Sequence, residues 1–302
     1  MCLYQEGRWN EAERAFVQVM ETRKRVLGPE HPDTLTSMAN LASTYRNKGR
    51  WDEAEELEVQ VMETRKRVLG PEHPDTLTSM ANLASTYRNK GRWDEAEELE
   101  VQVMETTKRV LGPEHPSTLT RMANLASTFW NKGRWDEAEE LEVQVMETRK
   151  RVLGLEHPDT LTSMANLAST YRNKGRWDEA EELKVQAMET RKRVLGPEHP
   201  DTLTSMANLA STYRNKGWWD EAEELEVQVM ETRKRVLGPE HPSTLTSMNN
   251  LSFTWKAMGK QAEALKLIDQ CVQLRKRVLG VNHPYFLSSS ATLGAWRLEG
   301  KG

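Results

Sequence analysis

Apolar residues fall into two alternating helical patterns along the chain, and the pair recurs with a step of 42 residues. In residues 34–75, Leu35, Met38, Leu41, Ala42 and Tyr45 keep the 3–4 spacing of one helix face, which predicts a first helix over 34–47. Lys48-Gly49-Arg50-Trp51 then breaks the pattern, and Gly49 can take the left-handed conformation that ends a helix. Asp52, with Glu55 three residues later, resembles a capping box and predicts a second helix to about residue 69, a rod of roughly 27 Å. That helix is acidic at its start and basic at its end (Arg65, Lys66, Arg67), as its dipole favours. Gly70-Pro71 stops it, and His73-Pro74 opens the next unit, with proline in the first turn where a missing N–H costs nothing.

The period is kept by Gly28, Gly70, Gly112, Gly154, Gly196, Gly238 and Gly280, and by a second glycine series from Gly7 to Gly259. All seven histidines, His31 to His283, follow it too. Segments 34–75 and 76–117 differ only at Arg65/Thr107 and Asp75/Ser117. One such hairpin cannot bury its apolar face alone, so stacked units must share a core built from nearest-neighbour interfaces. The chain therefore reads as a single all-α repeat array over 1–302. It divides into a partial repeat at 1–33, five near-identical repeats over 34–243, and a divergent repeat with a capping helix over 244–302. Full helix pairs begin at 34, 76, 118, 160, 202 and 244; a second-type helix at about 10–27 precedes them and a first-type helix at about 285–298 follows. Residues 1–6 align with the end of a first-type helix, so the chain is expected to begin inside a repeat, as a piece of a longer protein or as an end cap.

Composition narrows the function. The net charge of −4 comes with no basic block, which argues against a nucleic-acid partner. No apolar run approaches the ~20 residues that span a bilayer, and the first nine residues lack a signal peptide's basic start and apolar stretch. Cys2 and Cys271 follow no disulfide or metal spacing. A cytoplasmic protein that binds no membrane is expected. One histidine per repeat cannot supply clustered metal ligands, so these histidines are read as caps or turn residues and neither metal nor cofactor is expected. The glycines stand alone at helix ends and cradle no phosphate, and no nucleophile is partnered by a base, so no enzyme is expected.

Asn40-Leu41-Ala42-x-x-Tyr45-x-x-x-Gly49-x-Trp51-x-x-Ala54 resembles the tetratricopeptide repeat. The 42-residue period and the connector Leu69-Gly70-Pro71-Glu72-His73-Pro74 are similar to the kinesin-light-chain subtype; the usual tetratricopeptide period is about 34. The resemblance implies a right-handed superhelical solenoid of antiparallel helix pairs, with first helices lining a concave side that takes extended peptides or partner proteins. It implies that the asparagine before Leu-Ala hydrogen-bonds a peptide backbone, a role that falls to Asn40, Asn82, Asn124, Asn166, Asn208 and Asn250. An amide both donates and accepts, as a peptide group requires. The subtype also occurs downstream of nucleotide-binding modules in receptor-like proteins, so a ligand-sensing arm of a larger signalling NTPase is one alternative.

Spacing marks the same face from the residues alone. Thr36, Asn40, Ser43 and Asn47 form a polar stripe, with Arg46, Arg88, Arg172 and Arg214 at its edge, suited to an acidic side chain or a terminal carboxylate. Trp130 stands where these arginines stand, beside Phe129 and near Arg121, and reads as a local interface anchor; Trp218 is a weaker candidate. Near-identical sub-sites suit an extended or repetitive protein partner. End-to-end self-association, a structural array, is the other alternative, through apolar residues at the ends such as Ala291, Leu293 and Trp296. One position departs from the resembled pattern. Glu58, Glu100, Glu142, Lys184 and Glu226 lie inside the apolar arc of the second helix, with Arg65 in the same arc. A lone buried charge is costly, so a ladder of partly buried acid–base contacts between neighbouring repeats is expected to set register. Lys184 reverses its sign and Thr107 removes one of its arginines.

Overall fold

The computed structural model describes residues 9–281 and 283–299. All the regular structure among them is helical: α1 (Trp9–Leu27), α2 (Pro32–Asn47), α3 (Trp51–Leu69), α4 (Pro74–Asn89), α5 (Trp93–Leu111), α6 (Pro116–Asn131), α7 (Trp135–Leu153), α8 (Pro158–Asn173), α9 (Trp177–Leu195), α10 (Pro200–Lys216), α11 (Trp219–Leu237), α12 (Pro242–Ala257), α13 (Gln261–Leu279) and α14 (Pro284–Glu299). The segment 1–6, expected to end a first-type helix, lies outside the described residues. Among the described residues no helix is long and apolar enough to cross a membrane.

The contacts group into two compact units, 1–152 and 153–302. In the first, α1 to α6 pack in chain order; in the second, α8 to α14 do the same. Short-range stacking of this kind is what a repeat array requires. In unit one, α2 buries Leu35, Met38, Leu41 and Ala42, and α3 meets the three larger ones with Val61 and Leu57. Met62 in turn packs with Leu77 and Met80 of α4, so α3 serves two cores. Unit two repeats the arrangement, with Leu203, Met206 and Leu209 of α10 between Met188 and Val229. Each side chain of this size contributes about 1.5–3 kcal/mol by leaving water.

Histidine is the cap of the first helices. His73 has extended backbone and its Nδ1 accepts the Asp75 N–H at 3.1 Å, with Pro74 in the first turn. His31, His115, His157, His199, His241 and His283 make the same bond two residues on. The first helices end in a Schellman turn: Gly49 has φ 75°, its N–H reaches Arg46 O at 3.1 Å, and the Arg50 N–H reaches Tyr45 O at 2.9 Å.

The capping box expected at Asp52 and Glu55 does not form. α3 starts one residue earlier, at Trp51, behind Arg50, whose side chain makes no cap bond. Both carboxylates are drawn to cations of the next repeat instead. Lys90 Nζ lies 2.6 Å from Asp52 and 2.5 Å from Glu55, and Arg92 lies 2.6 Å from Glu55. These charge-assisted contacts outcompete a backbone cap and hold the carboxyls of Asp52 and Glu55 below their usual range.

Candidate functional site

The first helices place their asparagines one turn past the buried Ser37 and Met38 row. Asn40, Asn166 and Asn208 are exposed, while Asn82, Asn124 and Asn250 are half-buried. Their backbone carbonyls are partly committed. Arg46 Nη1 donates to Asn82 O at 3.2 Å, Arg88 to Asn124 O at 3.4 Å and Arg214 to Asn250 O at 3.5 Å. The edge arginine of one repeat thus reaches the stripe asparagine of the next.

The same arginines face the charged position of the second helix. Arg46 lies 3.1 Å from Glu58 Oε1, and Arg88 and Arg214 lie 3.6 Å from Glu100 and Glu226. All three glutamates are buried. Each also accepts a hydroxyl hydrogen bond from the following repeat: Glu58 from Thr86 at 2.5 Å, Glu100 from Thr128 at 2.5 Å, Glu226 from Thr254 at 2.6 Å. Burial raises the pKa of all three, and the threonine bond and the arginine pull it back down.

The buried ladder therefore differs from the expected one. Its ion pair lies within a repeat, and its links between repeats are hydrogen bonds. Arg65 takes no part in it. It donates to Ser79 Oγ at 2.9 Å and to Asp75 O at 3.2 Å, both in α4. Acid–base contacts between repeats do occur, but nearer the surface. Lys132 and Arg134 meet Glu97, Lys216 meets Asp178 and Glu181, and Arg67 meets Glu30.

Five substituted positions change this frame. Thr107 stands where Arg65 stands, and Arg121, half-buried in α6, stands where Ser79 stands. The guanidinium missing from α5 is thus supplied by the facing helix, where Glu100 supports its charge against burial. Sequence reading singled out both residues without joining them; their shared separation of 14 residues, that of Arg65 and Ser79, is the signal that links them. Trp130, expected as an interface anchor, is half-buried against the cluster of Leu119, Met122 and Phe129. Its Nε1 is buried with no hydrogen-bond partner among the described residues. Trp218 takes the place of arginines that stack on tyrosine, as Arg50 does 4.2 Å from the Tyr45 ring centroid. It keeps that stack, 5.6 Å from Tyr213, and Lys216 lies over its ring at 3.8 Å. Lys184 donates to Thr212 Oγ1 at 2.6 Å where the glutamates accept.

The C-terminal end differs from expectation. Leu293 and Trp296 are buried, packed on Ala264, Ile268 and Val272 of α13. The large apolar side chains left outside on α14 are Tyr285, Leu287 and Leu298. Ile268 fills the position that glutamate holds elsewhere, so an apolar partner helix replaces the polar ladder there.

Comparison with known proteins agrees with this geometry. Two tetratricopeptide-repeat family models match, one over residues 121–183 and 159–235, the other over 2–33, 34–75, 76–117 and 244–285. A search of curated proteins finds no match. Among solved structures, the chain is similar to a Podosopora anserina protein of nearly identical TPR-like repeats, classed with the kinesin light chains. It is 36% identical, with TM-score 0.62, over 68% of this chain and 98% of that one. A form of that protein with one glutamine replaced by methionine gives 35%, 0.63, 69% and 99%. BtubC (BKLC) from P. vanneervenii shares the fold at 20% identity, with TM-score 0.64, over 78% of this chain and 94% of that one. Matched by repeat models along most of its length, the chain belongs to the tetratricopeptide-repeat family.

Proposed function

We propose that the chain is a non-enzymatic scaffold whose first helices bind an extended peptide or an extended segment of a partner protein. Tetratricopeptide repeats generally mediate protein–protein interactions, and the single observation that supports a peptide ligand is the asparagine series. Each unit carries three asparagines at the same helical position, Asn40, Asn82 and Asn124 in one and Asn166, Asn208 and Asn250 in the other. No hydrogen bond within the described chain engages the side-chain amides of Asn40, Asn82, Asn124, Asn166 or Asn208. An amide left open at a constant step matches the repeating donors and acceptors of an extended backbone. Arg46, Arg88 and Arg214 serve this face mainly from behind, through the carbonyls of the next asparagines, because buried glutamates already neutralise them.

Extended peptides selected from a displayed library, each carrying one benzophenone, test the reading. Photo-crosslinks are expected on the first helices, α2, α4 and α6 in one unit and α8, α10 and α12 in the other. Crosslinks confined to second helices would contradict it.

A further inference from the structure

One repeat departs from the others at two positions three residues apart on the same helix. In α9, Lys184 stands where Glu58, Glu100 and Glu226 stand, and Ala187 stands where Val61, Val103 and Val229 stand. The first change inverts a buried charge. The second removes bulk from a position that is 1% exposed in each of the valine repeats. A cavity of about 100 Å³ opens there, between α8, α9 and α10. A single water needs roughly a tenth of that.

The lining is cationic. Arg172 enters from α8, Lys184 and Arg191 from α9, and Ser169, Ser205 and Asn208 add polar groups, with no carboxylate in the wall. Arg191 lies two turns beyond Lys184 on the same face. Arg46, Arg88 and Arg214 each have a glutamate opposite, whereas Arg172 has an ammonium, and it adds to burial in pushing the Lys184 pKa down to about 8. Asp201, at the exposed start of α10, is the carboxylate whose charge acts on Arg191. Lys184 uses its protons on Thr212 Oγ1 at 2.6 Å and on Asn208 O at 3.4 Å, and Arg191 donates to Ser205 Oγ at 2.6 Å. These neutral acceptors orient the cations without cancelling them. Three converging cations in a half-enclosed cavity are costly to keep unneutralised.

We infer that this cavity is a binding site for a compact, multiply charged oxyanion of the phosphate or sulfate class, held by Arg172, Lys184 and Arg191 with serine hydroxyls as additional donors. The bound anion takes the place of the carboxylate that Glu58, Glu100 and Glu226 supply in other repeats. A guanidinium fork and an ammonium suit tetrahedral oxyanion geometry, and a half-buried setting strengthens each charge-assisted bond. The site does not depend on the asparagine face having a ligand.

Titration calorimetry on the full chain, with inorganic phosphate, sulfate, O-phosphoserine and chloride as separate probes, tests it. Phosphate or sulfate is expected to bind stoichiometrically and at least about tenfold more tightly than chloride. Lys184→Glu, which gives this position the residue type of Glu58, Glu100 and Glu226 and so is expected to fold, is expected to lose at least about tenfold in affinity. Ala187→Val keeps every charge and fills the cavity, and it is expected to weaken binding likewise. O-Phosphoserine binding more tightly than free phosphate identifies a phosphorylated side chain as the source; the reverse identifies the free ion. No binding by the parent, chloride binding equally well, or unchanged affinity in both variants overturns the site.

Discussion

The Thr86 hydroxyl donates to Glu58 Oε2 across 2.5 Å, and so ties the first helix of one repeat to the second helix of the repeat before it. The bond recurs at Thr128–Glu100 and Thr254–Glu226. It explains how an array of apolar interfaces tolerates a glutamate in its core arc. At Glu58 both oxygens leave water and each finds a partner, a hydroxyl from the next repeat and a guanidinium from its own, whereas Glu100 Oε1 has only the Arg88 charge at 3.6 Å. An apolar surface alone allows sliding, whereas a buried acceptor facing one donor does not.

Thr86→Val removes the hydroxyl while keeping its shape. It is expected to cost about 1.5–3 kcal/mol, the range for a hydrogen bond to a charged group. Urea denaturation measures this. A loss below a few tenths of a kcal/mol would show that Oε2 finds another partner.

The buried Glu58, Glu100 and Glu226 give a pH signature. Burial raises their pKa in the folded chain. At pH values just above the usual glutamate range, the folded chain therefore holds protons that the unfolded chain has released. The stability from this source is present in acid and is lost as pH rises through the raised folded values. Surface carboxylates such as Asp52 and Glu55, held low by their cations, act oppositely at lower pH. They are common to parent and variant and drop out of the difference. The urea midpoint of the parent is expected to fall more steeply with rising pH through mildly acid solution than that of Glu58→Gln/Glu100→Gln/Glu226→Gln. Parallel curves would contradict the assignment.

Thr107 and Arg121 are expected to behave as one exchanged pair. Arg121→Ser leaves the α5–α6 interface without its guanidinium, and Thr107→Arg adds a second one; each is expected to destabilise by about 1–3 kcal/mol. The double variant rebuilds the Arg65–Ser79 arrangement and is expected near the parent. A coupling energy under about 0.5 kcal/mol in this cycle would separate the two sites.

Lys184 carries the opposite pH dependence. With its pKa lowered to about 8 by burial and by Arg172, the folded chain has released a proton that the unfolded chain retains up to the ordinary lysine value of 10.5. Stability is therefore expected to rise with pH across that window, by up to about 3 kcal/mol for a shift of this size. Lys184→Met lacks the gain. Denaturation curves for the two proteins from about pH 8 to about pH 10.5, in buffer free of phosphate and sulfate, are expected to diverge in the parent's favour. Curves that stay parallel would contradict a buried ammonium.

The fold was legible in the sequence because its signals are local and repeated. His73-Pro74 marks a cap, Gly49 marks a left-handed turn, and the spacing of Leu35, Met38 and Leu41 marks a face. The polar network was only half legible. Glu58 stood out as a charge in an apolar arc, but its partners lie 12 residues back and 28 residues on, at Arg46 and Thr86, across two helix contacts that periodicity does not reveal. Asp52 and Glu55 had the spacing of a capping box, and cations of the next repeat won them, which one unit read alone cannot show. Arg46, Arg88 and Arg214 looked free to hold a ligand's carboxylate because the glutamates that neutralise them sit on another helix. The asparagine series was visible from its step and from the family resemblance.

The asparagine face is the central claim, and affinity tests it most directly. A library-selected peptide is titrated into the parent and into Asn40→Ala/Asn82→Ala/Asn124→Ala, with fluorescence anisotropy as the readout and circular dichroism confirming an unchanged fold. Each amide that bonds a peptide group contributes about 0.5–1.5 kcal/mol, so a loss of at least about tenfold is expected. Equal affinity, for this variant and for Asn166→Ala/Asn208→Ala/Asn250→Ala alike, would show that the peptide binds elsewhere.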